Sequence, residues 1–169
     1  KTLKSQNAHG VSLIEIELRG SGRDWRWQVV RPSSYARRIT ARTPMRIDGP
    51  AAGAGPLCTG DDPAGQVVLG TLANCAMGVT PWGSYLTCEE NFHGYFLGRL
   101  PEGSPEAANY KRLALPGVWQ AWGKWHERFD LSKEQNEANR FGWVVEIDPF
   151  DPSSVPVKRT ALGRFKHEG

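Results

Sequence analysis

The sequence predicts a mainly β fold, and three observations predict it. The 19 glycines and 12 prolines among 169 residues call for many turns, which suits short strands better than helix bundles. Residues 11–18 carry the period-two pattern of a half-buried strand, with Ile14, Ile16 and Leu18 alternating with Glu15 and Glu17. The same unit then recurs. Gly10 opens Gly-Val-Ser-Leu-Ile-Glu-Ile and Gly142 opens Gly-Trp-Val-Val-Glu-Ile-Asp, about 132 residues later. Each precedes a turn and a second strand, ending in Arg-Ile-Thr at 38–40 or Arg-Thr-Ala at 159–161. That separation is roughly three propeller blades of about 44 residues.

The elements follow in order. Residues 11–18 and 25–30 are separated by a polar turn and predict a hairpin. Residues 37–47 predict one or two short strands. The Gly- and Ala-rich run at 49–56 lacks the Lys-Ser/Thr ending of a phosphate-binding loop and no clear helix follows, so it reads as a flexible loop. Val67, Val68 and Leu69 start a strand that leads to Asn74 and Cys75. Pro81-Trp82-Gly83 is a turn, and residues 84–87 are rich in strand formers. Residues 92–100 predict a continuing strand with an aromatic outer face. Residues 110–139 break the pattern with Trp119, Trp122 and Trp125 at a spacing of three, then a charged stretch. This is the one helical region expected, a short insertion with Asp130 as N-cap of its second half. The Trp trio reads as packing. Residues 142–148 and 155–162 return to strand.

Composition narrows the function. Hydrophobic residues make up 39% and the mean hydropathy is −0.49, a globular balance with a core of useful size. No apolar run approaches the roughly 18 residues a membrane span needs. The net charge is +3, with basic residues scattered and no nucleic-acid module present, so neither a membrane span nor a nucleic-acid partner is expected. Three cysteines, Cys58, Cys75 and Cys88, allow at most one internal disulfide. Cys75 either pairs with Cys58 or stays buried. There is no HExxH, CxxC, EF-hand loop or GxSxG. The chain starts at Lys1 and stops at His167-Glu168-Gly169, and it reads as a piece of a longer polypeptide.

One stretch carries chemistry. In residues 79–91, VTPWGSYLTCEEN, a cysteine and two carboxylates follow one another at a strand end: Cys88, Glu89 and Glu90. Adjacent like charges repel, and a thiol there is open to oxidation. A cation resolves both problems by holding a thiolate and neutralising the carboxylates. The plainer alternative is an inert buried thiol beside solvated glutamates. In a strand, Cys88 and Glu90 share a face and Glu89 points away; if the strand stops at Cys88, both glutamates can turn inward.

Three runs carry a resemblance. Residues 74–92, NCAMGVTPWGSYLTCEENF, resemble the signature of the PhoX family of alkaline phosphatases, and residues 139–169 and 4–17 agree with it in the family's order. The resemblance implies a six-bladed β-propeller several times longer than this chain, of which residues 1–169 would be an incomplete domain, roughly half the ring. It implies a metal-dependent phosphomonoesterase with a cofactor of iron and calcium ions, acting on small phosphate esters, monomeric when whole. It also implies export in folded form, by the twin-arginine route, to the periplasm or cell surface.

On that resemblance Cys88 is the iron ligand, since a thiolate suits a transition metal and glutamate oxygens suit calcium. Glu89, Glu90 and Glu168 are the further metal ligands expected, and Cys88, Glu89 and Glu168 the catalytic set. His167 is a weaker candidate. Asn74 either orients a ligand, hydrogen-bonds the phosphate, or simply satisfies backbone groups in a turn. Glu146 and Asp148 are lesser metal candidates, with Asp148 favoured as a turn cap. His9 reads as structural. Met77 and the WHERFD run at 125–130 depart from the family pattern without touching the acidic cluster. A non-catalytic calcium-binding propeller and a calcium-dependent lactonase are the competing classes. Cys88 separates the phosphatase from both, because calcium has no use for a thiolate.

Overall fold

Ten short strands and two short helices account for the regular structure, a computed structural model that describes residues 1–168. Helix α1 is Thr2–Ala8 and α2 is Ala107–Arg112. The strands are β1 Val11–Leu13, β2 Ile16–Arg19, β3 Arg26–Val29, β4 Arg37–Ile39, β5 Pro44–Asp48, β6 Val67–Leu69, β7 Asn74–Val79, β8 Tyr85–Glu89, β9 Val144–Ile147 and β10 Val157–Arg159. Six of them form one mixed sheet in the order β6-β5-β10-β9-β8-β7, and β1-β4 and β2-β3 form two-stranded ribbons. The mainly β expectation holds, and so does the β2-β3 hairpin, paired from Ile16 with Val29 to Arg19 with Arg26.

Strands β7 to β10 run antiparallel, each beside its predecessor, as in one propeller blade. Strand β5 then joins β10 in parallel, with Arg46 opposite Val157. No closed ring is present among the described residues. The three-blade reading of the repeat needs correction: the two repeated units do not form equivalent elements. The first splits at Ile14-Glu15, so that β1 pairs with β4 while β2 turns to β3. The second becomes the central strand β9. What the units share is local. Gly10 and Gly142 have φ of +88° and +89°, and a Cβ would lie 2.1 Å from the Ile39 carbonyl oxygen at one and 2.5 Å from the Phe92 ring at the other. Only glycine fits either entry into a strand.

The core lies on one face of the six-stranded sheet. Met45, Ile47, Val68, Val145 and Ile147 point into it. The chain between β8 and β9 folds over this face and supplies the aromatic layer of Phe92, Phe96, Tyr110, Trp122, Phe129 and Phe141. Two expectations fail there. Residues 92–100 do not continue the sheet: Phe92–Tyr95 is a 3-10 turn with all four residues buried. A strand alternates its side chains between faces and cannot bury four in succession against one layer. No helix starts at Asp130 either. Its Oδ1 accepts from the Ser132 N–H at 3.0 Å and hydroxyl at 2.7 Å, closing a turn, and the region is 3-10 turns at Trp122–Lys124, Glu127–Phe129 and Glu137–Arg140. Of the Trp trio only Trp122 is buried, while Trp119 and Trp125 stay largely exposed.

Helix α1 has no sequence signal because it has no side-chain cap. Tertiary contacts hold it: the Gln6 carbonyl accepts the Ala41 N–H, and His9 Nε2 lies 2.8 Å from the Tyr95 hydroxyl, so His9 is structural. The alternation of residues 11–18 marks strands correctly, yet Ile16 and Leu18 remain about half exposed beside exposed Trp25 and Trp27. Nothing among the described residues covers that side of the ribbon. An open apolar cleft of about 820 Å³ lies between residues 11–16 and the sheet, lined by Val79, Tyr85 and Phe150 among others.

Candidate functional site

The site expected from sequence sits at the end of β8, and β8 runs through Glu89 rather than stopping at Cys88. Alternation therefore holds to its last residue. Thr87 and Glu89 face the core, while Cys88 faces the other side of the sheet with Val144 opposite it on β9. Glu89 is fully buried and accepts four hydrogen bonds. Oε1 takes the Leu72 N–H at 3.1 Å and Lys158 Nζ at 2.8 Å; Oε2 takes the Gly142 and Trp143 N–H groups at 2.9 and 3.2 Å. Both oxygens are thus occupied inside the core, against the expectation that Glu89 turns toward a metal.

Lys158 is equally buried. Its ammonium also donates to the Arg140 carbonyl at 2.9 Å and lies 3.9 Å from the centre of the Phe141 ring. Burial pushes its pKa down to about 8, with Glu89 pulling the other way. Desolvation of this pair is therefore large, and its role is to fix where β8, β9 and β10 meet rather than to add much net stability. The signal for it in the sequence is a lysine at a core position of a strand, between Val157 and Arg159.

Cys88 lies on the other side, and it and Glu90, just past the strand, are both half-buried. Opposite Cys88 the ladder slips between Asn74 and Met77, so Cys75 and Ala76 both face it. All three cysteines are free, and Cys75 is exposed rather than buried or paired. Burial, then Cys75 and Glu89, push the Cys88 thiol above its ordinary value, so it stays protonated unless a cation takes the proton's place. Glu90 accepts from the Asn91 side-chain amide. Asn74 donates from Nδ2 to Thr71 Oγ1 at 2.8 Å and Thr87 Oγ1 at 3.1 Å, and its Oδ1 is buried without a partner. As oriented, the group Asn74 has left to offer is an acceptor, which meets a cation or a donor rather than a phosphate oxygen.

The C-terminal segment returns to this strand end. The Phe165 N–H donates to the Gly142 carbonyl and the His167 N–H to the Glu89 carbonyl, each at 3.2 Å. This lays exposed Glu168 beside the end of β8. His167 is buried, 3.6 Å from Phe165 ring to ring, with Nε2 3.2 Å from the Gly163 carbonyl oxygen. Gly169 lies outside the described residues. The fold thus draws Cys88, Glu90 and Glu168 toward one end of β8 and withdraws Glu89 from them. Among the described residues no three His, Cys, Asp or Glu side chains converge to hold a metal. One soft sulfur and two hard carboxylates suit metal ions of different kinds, and their number does not complete a centre.

Two residues near this end had no sequence signal. His93 is 5% exposed, and its Nε2 accepts from Lys166 Nζ at 3.4 Å while its Nδ1 is buried without a partner. Burial, then the Lys166 charge, hold its ring below the usual histidine value, leaving it neutral so that Nε2 can accept.

Glu146 is committed elsewhere. It accepts from Ser84 Oγ at 2.5 Å, Arg159 Nε at 2.6 Å and Trp82 Nε1 at 2.9 Å, while Asp148 caps the following turn through the Phe150 N–H at 2.8 Å. Burial would raise the Glu146 carboxyl, but the Ser84, Trp82 and Arg159 hydrogen bonds and the Arg159 charge hold it below the ordinary 4.5. A carboxylate shifted down stabilises the native state above its unfolded pKa, and that contribution is lost as pH falls through the folded value. Glu146→Gln is expected to soften the acid-side loss of stability below about pH 4.5, read by urea unfolding across that range. An acid limb identical to wild type would remove Glu146 from the pH response.

A search among curated proteins finds no match to this chain. The family model described as "Alkaline phosphatase PhoX" matches residues 1–169. Among solved structures the chain is similar to "Pseudomonas fluorescens PhoX in complex with vanadate, a transition state analogue", at 51% identity and a TM-score of 0.87. The match covers 97% of this chain and 28% of that one, so the chain spans little more than a quarter of its relative's length.

Proposed function

The chain belongs to the PhoX family of alkaline phosphatases, and from that membership we propose that it is part of a longer, six-bladed propeller enzyme that hydrolyses phosphate monoesters with the help of metal ions. The observation that carries this is the relative with vanadate, half identical over nearly all of this chain. The name of that structure calls vanadate a transition state analogue for its own protein. Several features support a longer chain: one blade-like meander, the uncovered apolar side of the β2-β3 ribbon, and the apolar cleft beside it. Residues 110–139 are read as an insertion between the strands of this blade.

In this reading Cys88 supplies a soft donor to iron, and Glu90 and Glu168 supply hard oxygens to calcium. The buried carbonyl of Asn74 would orient the centre or accept from a donor on it, in place of the phosphate contact expected from sequence. Glu89 becomes the anchor beneath, through Lys158. The metal ions would neutralise the non-bridging phosphate oxygens and activate the nucleophile. The remaining ligands come from parts of the protein outside this chain. Export to the periplasm or cell surface, and a monomeric whole protein, belong to the same proposal; among the described residues no helix is long and apolar enough to cross a membrane.

The test is phosphate release from p-nitrophenyl phosphate by the whole protein at alkaline pH, before and after exhaustive chelation. Release that chelation abolishes and that iron with calcium restores is expected. Turnover that survives metal removal would sink the metal mechanism.

A further inference from the structure

Most cations around the end of β8 are spent. Lys158 is held by Glu89, Arg159 by Asp48 and Glu146, Arg140 by Asp62 and Glu137, and Arg164 by the carbonyls of Phe141 and Ala138. Lys166 has no carboxylate partner among the described residues; its one hydrogen bond is to the neutral ring of His93. The backbone bonds of Phe165 and His167 run this segment along the strand end. The Phe165 and His167 rings stack at 3.6 Å, while Lys166 between them reaches to His93 and stands two residues before Glu168.

His93 is itself closely packed. It is buried, meets Trp119 edge-on at 4.7 Å between ring centres, and is closed in by Gly117, where a Cβ would lie 2.8 Å from its Cδ2. A half-buried lysine tethered to a packed ring has lost much of its rotamer freedom before any ligand arrives. A compact ammonium with no anion of its own is suited to the oxygens of a phosphate group.

We propose that Lys166, tethered by His93, is a substrate-positioning residue whose ammonium binds a non-bridging oxygen of the phosphate group. The proposal rests on the phosphatase reading for its substrate, but phosphate binding can be read without turnover.

The experiment uses the whole, metal-loaded protein and measures inorganic phosphate binding by calorimetry together with p-nitrophenyl phosphate kinetics. Lys166→Met is expected to weaken phosphate binding and raise KM by roughly ten- to a hundredfold, the size of a charged hydrogen bond, with a smaller fall in kcat and unchanged iron and calcium content. Lys166→Arg should recover part of the loss. His93→Phe keeps a ring against Trp119 and removes the acceptor, and should show a weaker version of the same change. Wild-type phosphate affinity in a metal-loaded Lys166→Met protein overturns the proposal, and so does loss of metal in that variant. A wild type that binds phosphate without hydrolysing the ester would overturn the phosphatase reading and leave the Lys166 site standing.

Discussion

Replacing Cys88 by serine in the whole protein is expected to remove the iron and lower phosphate release by about a hundredfold or more, because losing a direct ligand should exceed the 10–100-fold typical of its outer partners. Serine is nearly isosteric but offers a hard, poorly acidic oxygen where a transition metal prefers a thiolate. Burial, Cys75 and Glu89 all push the Cys88 thiol up, so in the absence of a metal it is an ordinary protonated thiol, and in the proposed centre the ion would take the proton's place. Cys75→Ser is the control. It changes a free, exposed cysteine that faces Cys88 across the irregular step of β7 and β8, and it should leave metal content and turnover near wild type. Elemental analysis of both variants decides the matter. Full iron in Cys88→Ser with activity intact would take Cys88 out of the site.

Glu89→Ala is expected to destabilise the fold by about 3–5 kcal/mol, since removing one partner of a buried ion pair leaves the other charge uncompensated. Here the loss goes beyond Lys158. Three buried backbone N–H groups, of Leu72, Gly142 and Trp143, lose their acceptor together, and each unsatisfied group adds its own desolvation penalty. Lys158→Met should be milder than Glu89→Ala, because the carboxylate keeps its three backbone donors. The double variant Glu89→Gln with Lys158→Met should fall between the two, since it removes both charges together and its one amide oxygen keeps the Gly142 and Trp143 N–H groups while that of Leu72 loses its acceptor. Urea unfolding of the whole protein measures all three. A Glu89→Ala protein within about 0.5 kcal/mol of wild type would refute the anchor role. A stable Glu89→Gln protein that loses its metal would return Glu89 to the ligand set.

The sequence by itself determined the mainly β class and the family. Glycine and proline frequency, two-residue alternation and the Pro81-Trp82-Gly83 turn are local properties, and strands such as β2, β8 and β9 formed where they indicated. The cysteine and carboxylate cluster was legible for the same reason, since its members are neighbours in the chain. What only the tertiary structure decided is how those neighbours divide. Cys88 and Glu89 are adjacent, yet one faces out and the other is sealed in the core by a lysine 69 residues away. Strand β5 meets β10 in parallel across more than a hundred residues, and no local propensity encodes such a pairing. The turn at Phe92–Tyr95 replaced an expected strand because four consecutive residues had to be buried under one aromatic layer. Lys166 acquired its position from the strand end it packs along and from a histidine 73 residues earlier. Alternation tells which side chains share a face; which face the core claims depends on what the rest of the chain packs against it.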